Sequence, residues 1–383
     1  MGAFSVTISD NACDKYNYIT ASLFYTPVTS TKHTLMYRTI YTVALLLLLV
    51  ACASPKVDRQ LTAIEQIMNE HPDSALAQLE VMDADHITNH RQRACYALLY
   101  SQALDKNYID LANDSIINIA VEYYDDSNDL YRKMLAYYYL GRVKYNAQEY
   151  SQAIFSLLTA EKIALETEDF FYQGLIYRNM SYIYHLIYHG KAEIECSQKS
   201  YDAFKRTQHE QYTNYALLNL GNAYYNNNDY GISEDIIQQT IHISTTANDT
   251  LLHWSAKQLL GNIYFSQKKF AQALQIFEEL KNWDETALQY DDYINLSLCH
   301  LYTGNTETAR KYAQQVYQMD SLQTWCLYKV EKNRKNYKEA LQYLENEINL
   351  QNNILRDITK QDVLQSVSLF QKKEEQENLL KKK

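Results

Sequence analysis

Ser101, Gly141, Ser181, Gly221 and Gly261 stand forty residues apart, one small residue at each step of a single register. The position before each is large: Tyr100, Leu140, Met180, Leu220 and Leu260. Three residues after the last three anchors come Tyr184, Tyr224 and Tyr264, and a second series in the same phase runs Asn89, Asp129, Asp169, His209 and Asp249. Side chains like most of these accept hydrogen bonds from the free N–H groups at a helix start. Two series in one phase mark a stacked array, in which a unit cannot bury its own apolar face and its neighbours cover it. The small residue lets two antiparallel helices approach, the large one fills the groove between them, and the polar one starts the next pair.

Leu260, Gly261, Tyr264, Phe270, Ala273 and Phe277 stand where the tetratricopeptide repeat (TPR) carries its signature, and the stretch resembles that family. Leu140, Gly141, Tyr150, Ala153 and Ala160 match in an earlier copy, and Leu220, Gly221, Tyr224 and Tyr230 in another where Ser233 replaces the usual alanine. The copy around Met180 and Ser181 matches less well, with Ala192 one place early. The usual repeat has about 34 residues. A spacing of forty implies helices longer by most of a turn each, as in extended versions found in some bacterial regulators. The resemblance implies an all-α fold, a right-handed α-solenoid of TPR-like helix pairs over residues 52–340, followed by a long C-terminal helix over 341–383.

Composition agrees with continuous helices: no proline follows Pro72. The net charge of −10 argues against a general nucleic-acid-binding surface. Tyrosine is abundant, with 36 copies against 10 phenylalanines, and most of these rings are expected to fill gaps between helices with the hydroxyl reaching the surface.

The first fifty residues read as export machinery. Thr39 to Ala53 is an apolar run, short for a membrane-spanning helix, with Arg38 just before it. Its end, Leu49-Val50-Ala51-Cys52, resembles the lipobox of bacterial lipoproteins, which implies cleavage before Cys52 and lipidation of that cysteine. Ala53 follows in place of an inner-membrane retention aspartate, so the expected location is the bacterial cell envelope, lipid-anchored at the outer membrane and facing the periplasm. Residues 36–51 then form the signal peptide, with Met36 as the natural start and 1–35 a mis-annotated or disordered lead. Cys95, Cys196, Cys299 and Cys326 lie in helical patterns without a Cys-x-x-Cys pair, which favours buried thiols over metal ligands and leaves a disulfide open.

Leu61, Ile64 and Ile67, then Ala75, Leu76 and Leu79 after Pro72, predict an N-terminal capping pair. The next pair is expected over about Arg91 to Leu104 and Ile109 to Tyr124. Beyond Phe277 the register slips: Leu296, Ser297 and Ala309 suggest a pair of about thirty-six residues with a turn at Gly304-Asn305, and Leu327, Tyr337, Ala340 and Leu344 one of about thirty-one. Leu341, Leu344, Ile348, Leu355 and Ile358 follow a rough heptad that drifts through Leu364, Val367 and Phe370. That pattern fits a coiled-coil homodimer seam or a helix lying along the solenoid.

No glycine-rich phosphate loop and no Gly-x-Ser-x-Gly elbow is present, and the His185-x-x-x-His189 pair lacks the glutamate a zinc peptidase needs. The expectation is a protein without catalytic residues, metal or cofactor. In this family the positions three before, one after and four after the small anchor face the inside of the superhelix. That selects Tyr138, Arg142 and Tyr145; Arg178, Tyr182 and His185; Asn222 and Tyr225; and Gln258, Asn262 and Phe265. Asn222 and Asn262 share one repeat position, where an amide can hold the backbone of an extended peptide or bond a neighbouring helix. Arg142 and Arg178 suit a planar anion or open solvent. The expected function is an envelope scaffold that binds a protein or peptide on its concave face; the alternative is the sensory half of a membrane-spanning regulator.

Overall fold

A computed structural model of the chain describes residues 56–283, 290–315, 321–358 and 370–374. Within them every regular element is helical. After helical residues 56–67 comes α1 (Pro72–Glu80), with Pro72 in its first turn, where the missing N–H costs nothing. Helix pairs follow: α2 (His90–Lys106) with α3 (Ser115–Asp125), α4 (Leu130–Asn146) with α5 (Tyr150–Glu166), and α6 (Phe170–Leu186) with α7 (Gly190–Lys205). Then come α8 (Glu210–Asn226) with α9 (Tyr230–Ala247), and α10 (Thr250–Ser266) with α11 (Phe270–Trp283). The last two pairs are α12 (Tyr290–Tyr302) with α13 (Thr306–Gln315), and α14 (Ser321–Asn333) with α15 (Tyr337–Ile358). The described residues from Ile64 onward make one compact unit.

The polar series does begin the first helices. Asn89, Asp129, Asp169 and Asp249 accept from the N–H of Gln92, Arg132, Tyr172 and Leu252 at 3.2, 3.0, 3.0 and 2.9 Å. His209 makes no such bond; its ring packs instead against Phe171, with centroids 4.8 Å apart. The first helices also end alike. Gln148, Tyr188, Asn228 and Lys268 adopt left-handed φ of 61°, 56°, 64° and 63°. The next N–H then turns back to a carbonyl five residues earlier, as from Glu149 to Lys144 at 2.9 Å and from Lys269 to Tyr264 at 2.8 Å, which satisfies a carbonyl the helix end leaves free.

The small anchors mark the closest approach within pairs. A Cβ on Gly141 would lie 2.8 Å from Leu157 Cγ, and one on Gly261 3.0 Å from Phe277 Cζ. Ser233, in place of the usual alanine, is fully buried and donates from Oγ to the Gly221 carbonyl at 2.7 Å. One expectation needs correcting: α3 starts at Ser115 and not at Ile109. Asn113 Oδ1 accepts from the Ser115 N–H at 2.8 Å, so the Asp/Asn-rich stretch 110–114 bonds locally and delays the helix.

First helices touch the first helix of the next pair from α2 through α14, while no comparable set of contacts joins successive second helices among the described residues. Spacing is therefore tighter on the first-helix side, which makes it the concave side. One apolar core runs unbroken from α2 to α8. Tyrosines fill it: Tyr138 lies 4.9 Å from Tyr139 and 5.6 Å from Tyr172 between ring centroids, all edge-on, and all three are buried. Others stand at the surface, such as Tyr108 and Tyr188 at 94% and 76% exposure, because they occupy the left-handed turn positions.

Candidate ligand-binding face

The concave side is laced by polar side chains that join consecutive first helices. Arg142 of α4 donates from Nε to Asp105 of α2 at 2.8 Å and from a terminal nitrogen to Asn179 of α6 at 3.0 Å. Asn179 in turn donates to Tyr138 Oη at 3.3 Å and to the Leu175 carbonyl at 2.8 Å. Further along, Asn219 donates to Tyr182 Oη at 3.3 Å, Asn295 to Asn262 Oδ1 at 2.7 Å, and Ser266 to Tyr225 Oη at 3.4 Å. Gln258 reaches both oxygens of Asp292, at 2.8 and 2.7 Å.

No family model matches the sequence, and no curated protein matches it. Solved structures do. The apo form of RapI superposes with a TM-score of 0.61 at 13% identity, over 78% of this chain and 98% of that one. NprR in complex with its cognate peptide NprX gives 0.55 at 18% identity, over 77% and 88%. A tetratricopeptide repeat protein from Parabacteroides merdae gives 0.52 at 12% identity, over 70% and 98%. The fold is a TPR-like α-solenoid.

Within this solenoid the sequence-selected residues divide by availability. Tyr138 is not on the open face: it is 2% exposed, wedged among aromatic rings, and burial pushes its hydroxyl pKa up. Arg142, Gln258 and Asn262 are half-buried and bonded across helices as above. Tyr145 packs on Tyr150 with centroids 5.9 Å apart, and Phe265 on Phe270 at 5.5 Å. Tyr225 is half-buried. Tyr182 is 37% exposed, and Asn222 is exposed with neither its amide C=O nor its NH2 bonded among the described residues. Arg178 is half-buried with its Nε shielded from water and unbonded. The open part of the face is thus centred on α6 and α8.

Residues not singled out from the sequence complete the lacing: Asp105, Asn179, Asn219, Asp292 and Asn295. A signal for three of them exists, because Asn179, Asn219 and Asn295 each stand two places before a small residue, Ser181, Gly221 or Ser297.

At one edge of the face, His185 Nδ1 lies 3.3 Å from Glu193 Oε1, and Asn226 donates to the same oxygen at 2.7 Å. The hydrogen bond to Glu193 raises the His185 pKa above its ordinary value. The four cysteines of the described residues are buried free thiols. Burial pushes Cys95 and Cys326 up to about 11 and Cys196 and Cys299 to about 12, so at neutral pH they are protonated and poor nucleophiles. No group of three metal-ligating side chains is gathered among the described residues. No helix among them is long and apolar enough to cross a membrane. Cys52 and the apolar run before it lie outside the described residues.

Proposed function

We propose that this chain is a non-catalytic scaffold that binds a protein or an extended peptide on the concave face, over α6 and α8. The observation that carries this reading is Asn222, an amide without a hydrogen-bonding partner among the described residues on a face whose other amides are mostly tied to neighbouring helices. One such amide both donates to a C=O and accepts from an N–H of an extended backbone, and Tyr182 beside it offers a partly exposed ring. The peptide-bound state of NprR, a protein of similar fold, supports the choice of ligand class.

The finer parts of the proposal are an array of forty-residue repeats and attachment to the outer membrane through lipid on Cys52. The lipobox-like Leu49-Val50-Ala51-Cys52, followed by Ala53, supports an envelope location. A clickable fatty acid should label the chain in its host, and Cys52→Ser should abolish the label; retained label would remove the anchor.

The binding face is tested by a photo-crosslinking residue at Asn222 in cells, against a control at Gln238, exposed on the second-helix side. Adducts with one protein at 222 and not at 238 are expected. Asn222→Ala should then weaken that partner about tenfold in a purified system, as the loss of paired backbone hydrogen bonds does. Adducts confined to 238, or an unchanged affinity, would overturn the assignment.

A further inference from the structure

Residues 370–374 form a helical turn that lies against α5, more than two hundred residues earlier in the chain. Phe370 is 7% exposed and meets Phe155 edge-on, with centroids 5.3 Å apart at 81°. Lys373 Nζ sits 5.9 Å from the centre of the same ring, and Glu374 Oε1 is 3.3 Å from Lys162 Nζ. The three contacts come from positions spaced as one face of a helix, while Gln371 and Lys372 between them are exposed. On α5 the receiving residues Phe155, Thr159 and Lys162 also share one face. Open grooves of about 510 and 370 Å³ flank the turn on either side, the larger lined by Leu158, Tyr177 and Met180.

From these contacts we infer that the second-helix side of α5 is a docking site for the chain's own C-terminal segment, with Phe370 as the anchor. The site excludes other partners from that side while the segment is seated. The matched aromatic and charged pairs distinguish this seat from a general apolar surface. The inference is independent of what binds the concave face.

Trypsin cleavage after Lys372 and Lys373, followed by mass spectrometry on the full chain, reads the docked population, because cleavage tracks the open fraction. Phe370→Ala should accelerate cleavage roughly tenfold, as burial of an aromatic side chain is lost. Lys162→Glu should accelerate it about threefold, the scale of a half-exposed ion pair. Lys162→Glu combined with Glu374→Lys in one chain should be cleaved about threefold more slowly than Glu374→Lys alone, which carries the same added trypsin site, at every protein concentration. Three results would overturn the inference: an unchanged rate in Phe370→Ala, no rescue in the double variant, or rescue on mixing the two single variants. The last would make a second copy the occupant. Should Phe370→Ala fail to fold, the charge-reversal set decides by itself.

Discussion

Gly221 and Ile237, sixteen residues apart across the α8–α9 turn, pack so closely that a Cβ on the glycine would lie 2.6 Å from the isoleucine Cδ1. Hydrogen as a side chain is what allows these two helices to meet. Gly221→Val should therefore destabilise the chain by about 1–3 kcal/mol through overpacking. Ile237→Val in the same chain should recover part of the loss, and urea denaturation of the three proteins checks both. Equal stability of Gly221→Val and the parent would show that the pair spacing is set elsewhere.

Helix starts make a paired prediction. Asp169 caps α6 through the Tyr172 N–H at 3.0 Å, whereas His209 at the matching start of α8 forms no cap bond. Asp169→Ala should cost about 1 kcal/mol, while His209→Ala should lose no cap and only the contact of its ring with Phe171, and His209→Asp should be about 0.5–1 kcal/mol more stable than His209→Ala. Thermal unfolding of the three variants in one buffer orders them.

The turn at Tyr188 stores removable strain. Its φ is 56° and its ring is largely in water, so little packing is at risk. Tyr188→Gly should stabilise the chain by roughly 1 kcal/mol, the cost of holding a side chain in the left-handed region. A lower midpoint in urea would mean that the ring packs in solution.

Stability should depend on pH through His185. Its folded-state pKa is raised by the hydrogen bond its ring donates to Glu193, so the folded state binds the proton more tightly than the unfolded chain. The contribution is fully present below the unfolded histidine value of about 6.5 and is lost as pH rises through the folded value. Glu193→Gln should flatten that fall above about pH 6.5, seen as a smaller change in melting temperature. An identical pH profile in the variant would exclude the pair as its source.

Several of these features were legible before any fold was known. Anchors and caps act within a helix or across one turn, so their spacing alone marks them, as Gly221 and Asp169 illustrate. The concave lacing was not legible. Arg142 and Asn179 are thirty-seven positions apart, and whether they meet depends on how far one helix slides past the next, a quantity no single repeat encodes. For that reason Asn222 and Asn262, equivalent in sequence, differ in space: one is exposed on the concave face and the other is held by Asn295.

By itself the sequence determined that the chain is a stack of helix pairs, because small and capping residues recur in one phase and such local requirements repeat with the backbone. Only the tertiary structure decided which polar groups on the shared face are consumed by neighbouring helices and which stay open, and where Phe370 comes to rest. Those outcomes depend on the accumulated offset between stacked helices, which grows over the whole array and is written in no one unit of it.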